Sequence, residues 1–202
     1  MAALTAVETG VWRWDGVDAD HGFPIVGYVV SAPEGVLLID PPGTSGSREE
    51  IEQAGAPRAI LITSRWHVRG AGKWKSEFNV PIAAPASAAG ELREAGTQAE
   101  TYLAEGDTYM EWQVLHLQAQ GEAYTELAFW HPGRRIAVIG DLVTAGRDGS
   151  FAFGPHVFSH VPLEALQPIA RRIADLKPRL VLSSHIGART DGEAILAGLA
   201  GR

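Results

Sequence analysis

The chain has 202 residues, of which 46% are hydrophobic, and this is enough to bury one substantial core. Its net charge is -7, and its basic residues are scattered, which excludes nucleic acid as an expected partner. The absence of cysteine excludes disulfides, thiolate metal sites and a cysteine nucleophile. Because no apolar run approaches the length of a membrane span and no secretion signal is evident, we expect one cytoplasmic domain over residues 1–202, without a membrane partner.

The first half of the chain predicts short strands that alternate with helices. One or two edge strands are expected within residues 1–14, and a hairpin is expected from Ile25–Ser31 and Gly35–Asp40. Ser47 followed by Glu50 forms a capping box, which predicts a helix over Arg48–Ala54. The other predicted elements are a strand at Ile60–Thr63, a helix containing Ala71, Trp74 and Phe78, a strand at Val80–Ala83 and a helix at Ala86–Ala95. This alternation is typical of βαβ units.

The second half predicts a mixed or antiparallel sheet followed by helices. Its predicted elements are strands at Trp112–Leu117, Thr125–His131, Arg135–Ile139 and Leu180–Ser183, a loop from Gly146 to Pro155, and helices at Leu163–Leu176 and Gly192–Leu199. Pro168 lies inside the first of these helices and indicates a kink or a fresh start. His156 and His160 lie near Gly154, Pro155 and Pro162, and we therefore interpret both as loop residues.

Four predicted strands are followed by a histidine or an aspartate: Asp40, His67, Asp141 and His185. Repeated endings of this kind suggest loops that converge on one side of the sheets. Asp40 is either a turn-forming residue, which is the default interpretation, or a hydrogen-bond acceptor behind the site. Two imidazoles and a carboxylate form a ligand set expected for zinc, or for iron or manganese if more oxygen donors join.

Arg65 and Arg69 lie on either side of His67. A guanidinium binds carboxylates and phosphates with two parallel hydrogen bonds, so both arginines are candidate substrate-binding residues. The alternative is an ion pair with a nearby carboxylate, in which Arg69 in particular could supply positive charge in place of a metal.

The order of these segments resembles that of the metallo-beta-lactamase superfamily. The opening hairpin ending in Asp40, the strand before His67, the Gly140-Asp141 pair and the segment Leu182–Gly187 are each similar to a family motif. The resemblance covers nearly the whole chain. It implies the α+β fold class, with two mixed sheets flanked by helices in a four-layer αββα sandwich.

Two departures from the family pattern decide which ligands the resemblance implies. Where the family has HxHxDH, this chain has Ser64-Arg65-Trp66-His67, so His67 is aligned with the last histidine of the motif. This form also resembles a TNxDHxR branch of the superfamily, in which Arg69 fits the final position. In the segment similar to the family's GHTPG, Glu122 stands at the histidine position.

The resemblance therefore implies a single metal held by His67, Asp141 and His185, with Glu122 as a fourth ligand or a general base. The expected reaction is metal-assisted hydrolysis of an ester, thioester or lactone in a small-molecule substrate, with Asp141 and Glu122 as the catalytic residues. The expected cofactor is one divalent metal, first of all zinc.

The alternative is a metal-free, inactive member of the same fold. It would bind a small anionic ligand or a protein partner through Arg65 and Arg69. The sequence leaves the oligomeric state open, a homodimer included.

Overall fold

The structure of the chain is a computed structural model that describes residues 4–17, 22, 24–119, 124–146 and 148–201. The chain divides into two compact units: an N-terminal unit, Met1–Leu103, and a C-terminal unit, Ala104–Arg202. Whether the chain folds as a single domain stays a prediction. None of the helices in the described ranges is both long and apolar enough to cross a membrane.

The N-terminal unit is built on a seven-stranded sheet whose strands follow one another in chain order. Its strands are β1 (Leu4–Glu8), β2 (Val11–Val17), β3 (Pro24–Ala32), β4 (Gly35–Ile39), β5 (Pro57–Leu61), β6 (Ile82–Pro85) and β7 (Thr101–Leu103). Strands β1 to β4 pair antiparallel, whereas β4 to β7 pair parallel. The carboxyl ends of the last four strands therefore lie at one edge of the sheet.

Helices connect the parallel strands, as parallel connections require. They are α1 (Arg48–Ala54), α2 (Ala71–Phe78) and α3 (Ala89–Glu94), the last preceded by a 3-10 turn at Ala86–Ala88. The apolar core of this unit contains Trp14 of β2 and Trp74 of α2, whose ring centroids are 5.0 Å apart. It also contains Ile51 of α1 and Ile60 of β5, so the helices cover a face of the sheet.

The C-terminal unit contains a six-stranded sheet in the order β15-β14-β11-β10-β9-β8 and a separate two-stranded ribbon, β12-β13. The strands are β8 (Thr108–Tyr109), β9 (Trp112–Ala119), β10 (Tyr124–His131), β11 (Ile136–Ile139), β12 (Val143–Ala145), β13 (Phe151–Phe153), β14 (Leu180–Ser183) and β15 (Gly187–Arg189). Only β11 and β14 pair parallel among the strand pairs of this unit's described residues. Both large sheets are therefore mixed, as the sequence predicted.

Three helices complete this unit: α4 (Gly154–Ser159), α5 (Leu163–Ala174) and α6 (Gly192–Ala200). Leu166 and Ile173 of α5 and Leu196 of α6 lie in the same apolar cluster as Ala128 and Ile139 of the sheet. Pro168 lies within α5, which continues past it.

Several predicted elements are confirmed by the structure. The hairpin is β3 and β4, the capping-box helix is α1, and the strand predicted at Leu180–Ser183 is β14 with the same bounds. The strand predicted at Ile60–Thr63 instead runs over Pro57–Leu61. It ends early because the N–H of Thr63 donates to the carboxylate of Asp40 rather than to a neighbouring strand.

The prediction of a loop from Gly146 to Pro155 is wrong for the second half of this segment. Strand β13 occupies Phe151–Phe153 because it pairs with β12, and α4 begins at Gly154. Pro155 does not break this helix, because a proline in the first turn has no hydrogen bond to lose. His156 therefore lies in a helix, and His160 follows as its C-cap with a φ of 55°.

We predict that Ser47→Ala lowers the free energy of unfolding by about 1 kcal/mol, because the N-cap loses its side-chain acceptor. The Ser47 hydroxyl accepts from Glu50 N–H, and the Glu50 carboxylate accepts from Ser47 N–H. Urea unfolding followed by circular dichroism measures the change. Ser47→Asp, which keeps an acceptor at this position, should remain close to wild type; equal loss in both variants would contradict the capping role.

Candidate functional site

Asp40 and His67 both lie beyond the carboxyl ends of the parallel pair β4 and β5. The N–H of Asp40 donates to the carbonyl of Leu61 at 3.0 Å, so the last rung of the ladder fixes its backbone. Asp40 has a φ of 46°, a left-handed conformation that Asp adopts more readily than most residues. Its carboxylate is buried in the structure.

The Asp40 carboxylate orients His67 through its ring nitrogen Nδ1. Asp40 Oδ1 accepts from Thr63 N–H at 2.8 Å. Asp40 Oδ2 lies 2.6 Å from Thr63 Oγ1 and 2.9 Å from His67 Nδ1. Since the carboxylate can only accept, the proton of a neutral His67 is assigned to Nδ1, and Nε2 carries the lone pair. Of the two interpretations of Asp40, the structure therefore supports the acceptor.

A single 3-10 turn, Arg65–His67, carries the histidine. Ser64 caps this turn: its hydroxyl accepts from Trp66 N–H at 3.2 Å, and its carbonyl accepts from His67 N–H at 3.0 Å. The turn places His67 in the interior and leaves Trp66 with 62% of its surface exposed.

The loop after Asp40 is held tightly against the start of α2. The N–H of Gly70 donates to the carbonyl of Pro41 at 3.1 Å, and the indole N–H of Trp74 donates to the carbonyl of Pro42 at 2.7 Å. A Cβ at position 70 would lie 2.4 Å from the carbonyl oxygen of Pro41, so a glycine is required there. Asp40, which accepts the hydrogen bond from His67, is thus held in place by the packing of the loop that follows it.

Asp141 and His185 meet at the end of the other parallel pair, β11 and β14. Ile139 lies opposite Ser183 in that pair, and each of the two residues follows its strand by two positions. This register is expected to bring the two side chains together, and His185 Nε2 does lie 2.8 Å from Asp141 Oδ1. The hydroxyl of Ser183 accepts from the N–H of His185 at 3.3 Å and steadies the turn that follows β14.

Glu126, in the middle of β10, is a site residue that the sequence analysis missed. Its side chain is fully buried, with Oε2 accepting from Asp141 N–H at 2.7 Å and Oε1 accepting from the hydroxyl of Tyr124 at 2.6 Å. Burial, with the negative charge of Glu126, raises the pKa of Tyr124 well above its usual value, so this phenol stays a donor. A charged residue inside an otherwise apolar strand was the signal that could have revealed it.

Arg65 and Arg69 are both part-buried near His67 in the chain. The guanidinium of Arg65 lies over the ring of Trp66, with Cζ 4.5 Å from the ring centroid. Substrate binding by the two arginines stays a prediction. Glu122, the predicted catalytic base or fourth ligand, lies outside the described residues.

Two histidines beyond the predicted ligands have local structural roles. The Nδ1 atom of His156 is 2.8 Å from the carbonyl oxygen of Val161, which follows α4. The ring of His131 packs edge-on against Trp112, with centroids 5.2 Å apart.

The predicted ligands thus belong to both units: His67 lies in the N-terminal unit, and Asp141 and His185 lie in the C-terminal unit. Two imidazoles and one carboxylate are the donors that zinc and related divalent metals accept. A ligand histidine commonly donates its second N–H to a carboxylate, and His67 with Asp40 has this arrangement. The residues present therefore fit a divalent metal.

The chain is similar to solved metallo-beta-lactamases over almost its whole length. DIM-1 metallo-beta-lactamase exposed to ceftazidime matches with a TM-score of 0.73 and 16% identity, covering 98% of this chain and 95% of that one. An enzyme from Erythrobacter litoralis, with beta mercaptoethanol in its active site, gives a TM-score of 0.70 and 17% identity, with 98% and 95% covered. FIM-1 from Pseudomonas aeruginosa, in its mono-zinc form, gives 0.71 and 17%, with 98% and 94% covered.

This likeness shows the fold and confirms the predicted fold class. A search of curated protein sequences finds no match. The family model described as metallo-beta-lactamase superfamily matches residues 4–196. With strand ends that carry Asp40, His67, Asp141 and His185 in the expected order, the chain belongs to the metallo-beta-lactamase superfamily.

Proposed function

We propose that the protein is a hydrolase that uses a single divalent metal held by His67, Asp141 and His185. The observation that carries this proposal is the buried hydrogen bond from His67 Nδ1 to Asp40, 2.9 Å long. A buried carboxylate behind an imidazole fixes the tautomer, raises the basicity of the other nitrogen and aims it at a ligand. The ring N–H of a histidine that only filled space in the core could be satisfied by a neutral acceptor, which costs less to bury than a carboxylate.

The contact between Asp141 and His185 supports the same proposal from the C-terminal unit. A carboxylate oxygen and an imidazole nitrogen 2.8 Å apart are close enough to bind one cation together. Family membership supports the addition of His67 to this pair, since its segment is aligned with a family ligand motif. We propose zinc as the metal, with iron or manganese as the alternatives, and the mono-zinc form of the FIM-1 structure is consistent with a single ion.

A bound divalent metal would supply Lewis acidity, which lowers the pKa of water towards neutrality and polarises a substrate carbonyl. The chain's own residues would do the rest. Asp40 would hold the His67 ring in place, and Arg65 and Arg69 would bind an anionic group of the substrate. Glu122 would be a fourth metal ligand or would accept a proton from the attacking water.

The proposed reaction is hydrolysis of an ester, thioester or lactone in a small molecule. The proposed location is the cytoplasm. The alternative function, a metal-free binding protein that uses Arg65 and Arg69, is the other outcome of the first experiment below.

We expect near-stoichiometric metal in protein purified without chelators or a histidine tag, and a clear loss of metal in His185→Ala. Elemental analysis measures both. His160→Ala removes an exposed histidine after α4 and is the matched control, which should keep its metal. Absence of metal in the wild type, even after incubation with zinc, iron or manganese, would overturn the hydrolase and favour the binding protein. The loaded protein is then assayed with ester, thioester and lactone substrates.

We expect Asp40→Asn to weaken zinc binding by about 10- to 100-fold, the range for outer-shell partners of metal ligands. Asparagine tolerates the left-handed backbone, but its NH₂ would face either the Thr63 N–H or the donors at Oδ2. Competition with a chromophoric chelator measures the affinity. Asp191→Asn, which alters an exposed aspartate paired with Arg189, is the control. Equal affinity in Asp40→Asn and wild type would contradict the orienting role of Asp40.

A further inference from the structure

Glu126 is a fully buried carboxylate in the middle of a strand, among apolar neighbours. Burying an ionised carboxylate costs several kcal/mol unless hydrogen bonds replace its lost hydration. An apolar residue would satisfy the strand at a lower cost. The presence of a long polar side chain here therefore calls for a reason beyond the packing of β10.

The register of the sheet gives that reason. In the pair of β10 with β11, Phe129 lies opposite Val138 and His131 lies opposite Ile136. Extension of this register by three residues places Glu126 opposite Asp141, beyond the last observed pair. There the Asp141 N–H donates to the Glu126 side chain at 2.7 Å, so the carboxylate links the two chain segments beyond the paired part of β10 and β11.

A second contact restrains Asp141 from its carbonyl side. Gly154, the first residue of α4, lies so close that a Cβ there would be 2.2 Å from the Asp141 carbonyl oxygen. The Gly154 N–H donates to the carbonyl of Leu142 at 3.1 Å. The backbone of Asp141 is thus held between β10 and α4, and its carboxylate Oδ1 lies 2.8 Å from His185 Nε2.

We propose that Glu126 is a positioning residue for Asp141: by holding the Asp141 N–H, it sets the place of the Asp141 carboxylate beside His185. This inference rests on the proposed function in one respect, since it treats Asp141 as a metal ligand. It assigns Glu126 a role through reach and hydrogen bonding, not through its charge.

Two substitutions separate reach from charge. Glu126→Gln keeps the length of the side chain and an oxygen that can accept from Asp141 N–H, with its NH₂ towards the Tyr124 hydroxyl, which can accept. Glu126→Asp keeps the charge but is one methylene shorter and cannot make the same bond. Positioning by reach therefore predicts that glutamine preserves the site and that aspartate does not.

The first readout is the amide proton of Asp141 in the metal-free protein, observed by NMR. A short bond to an acceptor oxygen shifts an amide proton downfield. We expect a downfield signal in the wild type and in Glu126→Gln, and its loss in Glu126→Asp. The second readout is zinc affinity, measured with a competing chelator, which should fall about 10- to 100-fold in Glu126→Asp and remain close to wild type in Glu126→Gln.

Tyr124→Phe is the control for general loosening of β10. It removes the hydrogen bond from the Tyr124 hydroxyl to the same carboxylate and leaves the Asp141 N–H in place. We expect a lower Tm with the downfield Asp141 signal and most of the zinc affinity retained. Loss of zinc affinity in Tyr124→Phe as large as in Glu126→Asp would overturn the proposal in favour of a purely structural role.

The proposal would also be overturned if Glu126→Asp kept the zinc affinity and Glu126→Gln lost it. The charge of the side chain would then matter, and its length would not. If the wild type binds no zinc, the proposed function fails. The chemical shift of the Asp141 amide proton still tests the positioning role of Glu126, because it is measured in protein without metal. An unchanged Asp141 signal in Glu126→Asp would sink the inference regardless of how zinc binds.

Discussion

Parallel pairing of neighbouring strands is the constraint on which the placement of His67, Asp141 and His185 depends. In the N-terminal unit, β4 and β5 end side by side, and this brings Asp40 to the segment that carries His67. In the C-terminal unit, β11 and β14 end side by side and bring Asp141 to His185. A register slip of one residue in either pair would turn the strand's side chains to the opposite face and separate these groups.

Buried carboxylates perform a similar task in both units. Asp40 holds a ring nitrogen of His67, and Glu126 holds the backbone N–H of Asp141. Each is costly to bury, and each accepts a hydrogen bond from a residue of the predicted ligand set, His67 or Asp141. Orientation achieved by packed strands and loops needs no rearrangement when a ligand arrives, which is how rigid sites gain affinity.

Most of the architecture was predictable from local sequence signals. The capping box of Ser47 and Glu50 defined α1, and strand endings in aspartate and histidine identified Asp141 and His185 before their contact was seen. The role of Glu126 was not predicted because Asp141, to which it is hydrogen-bonded, is 15 residues away in the sequence, and only the register of β10 with β11 brings the two together. The helix after β13 escaped because its glycine and proline read as loop formers, although both are compatible with a first turn.

The close approach of Gly154 to Asp141 restricts which substitutions the sequence can accept at position 154. Any side chain at position 154 must push on the carbonyl of Asp141, so mutations there would disturb the site while much of the sheet still forms. The surface that follows is open to variation, because Val157, Phe158 and His160 are exposed. We therefore expect substitutions at the exposed positions of α4 to be tolerated and substitutions of Gly154 to be disruptive.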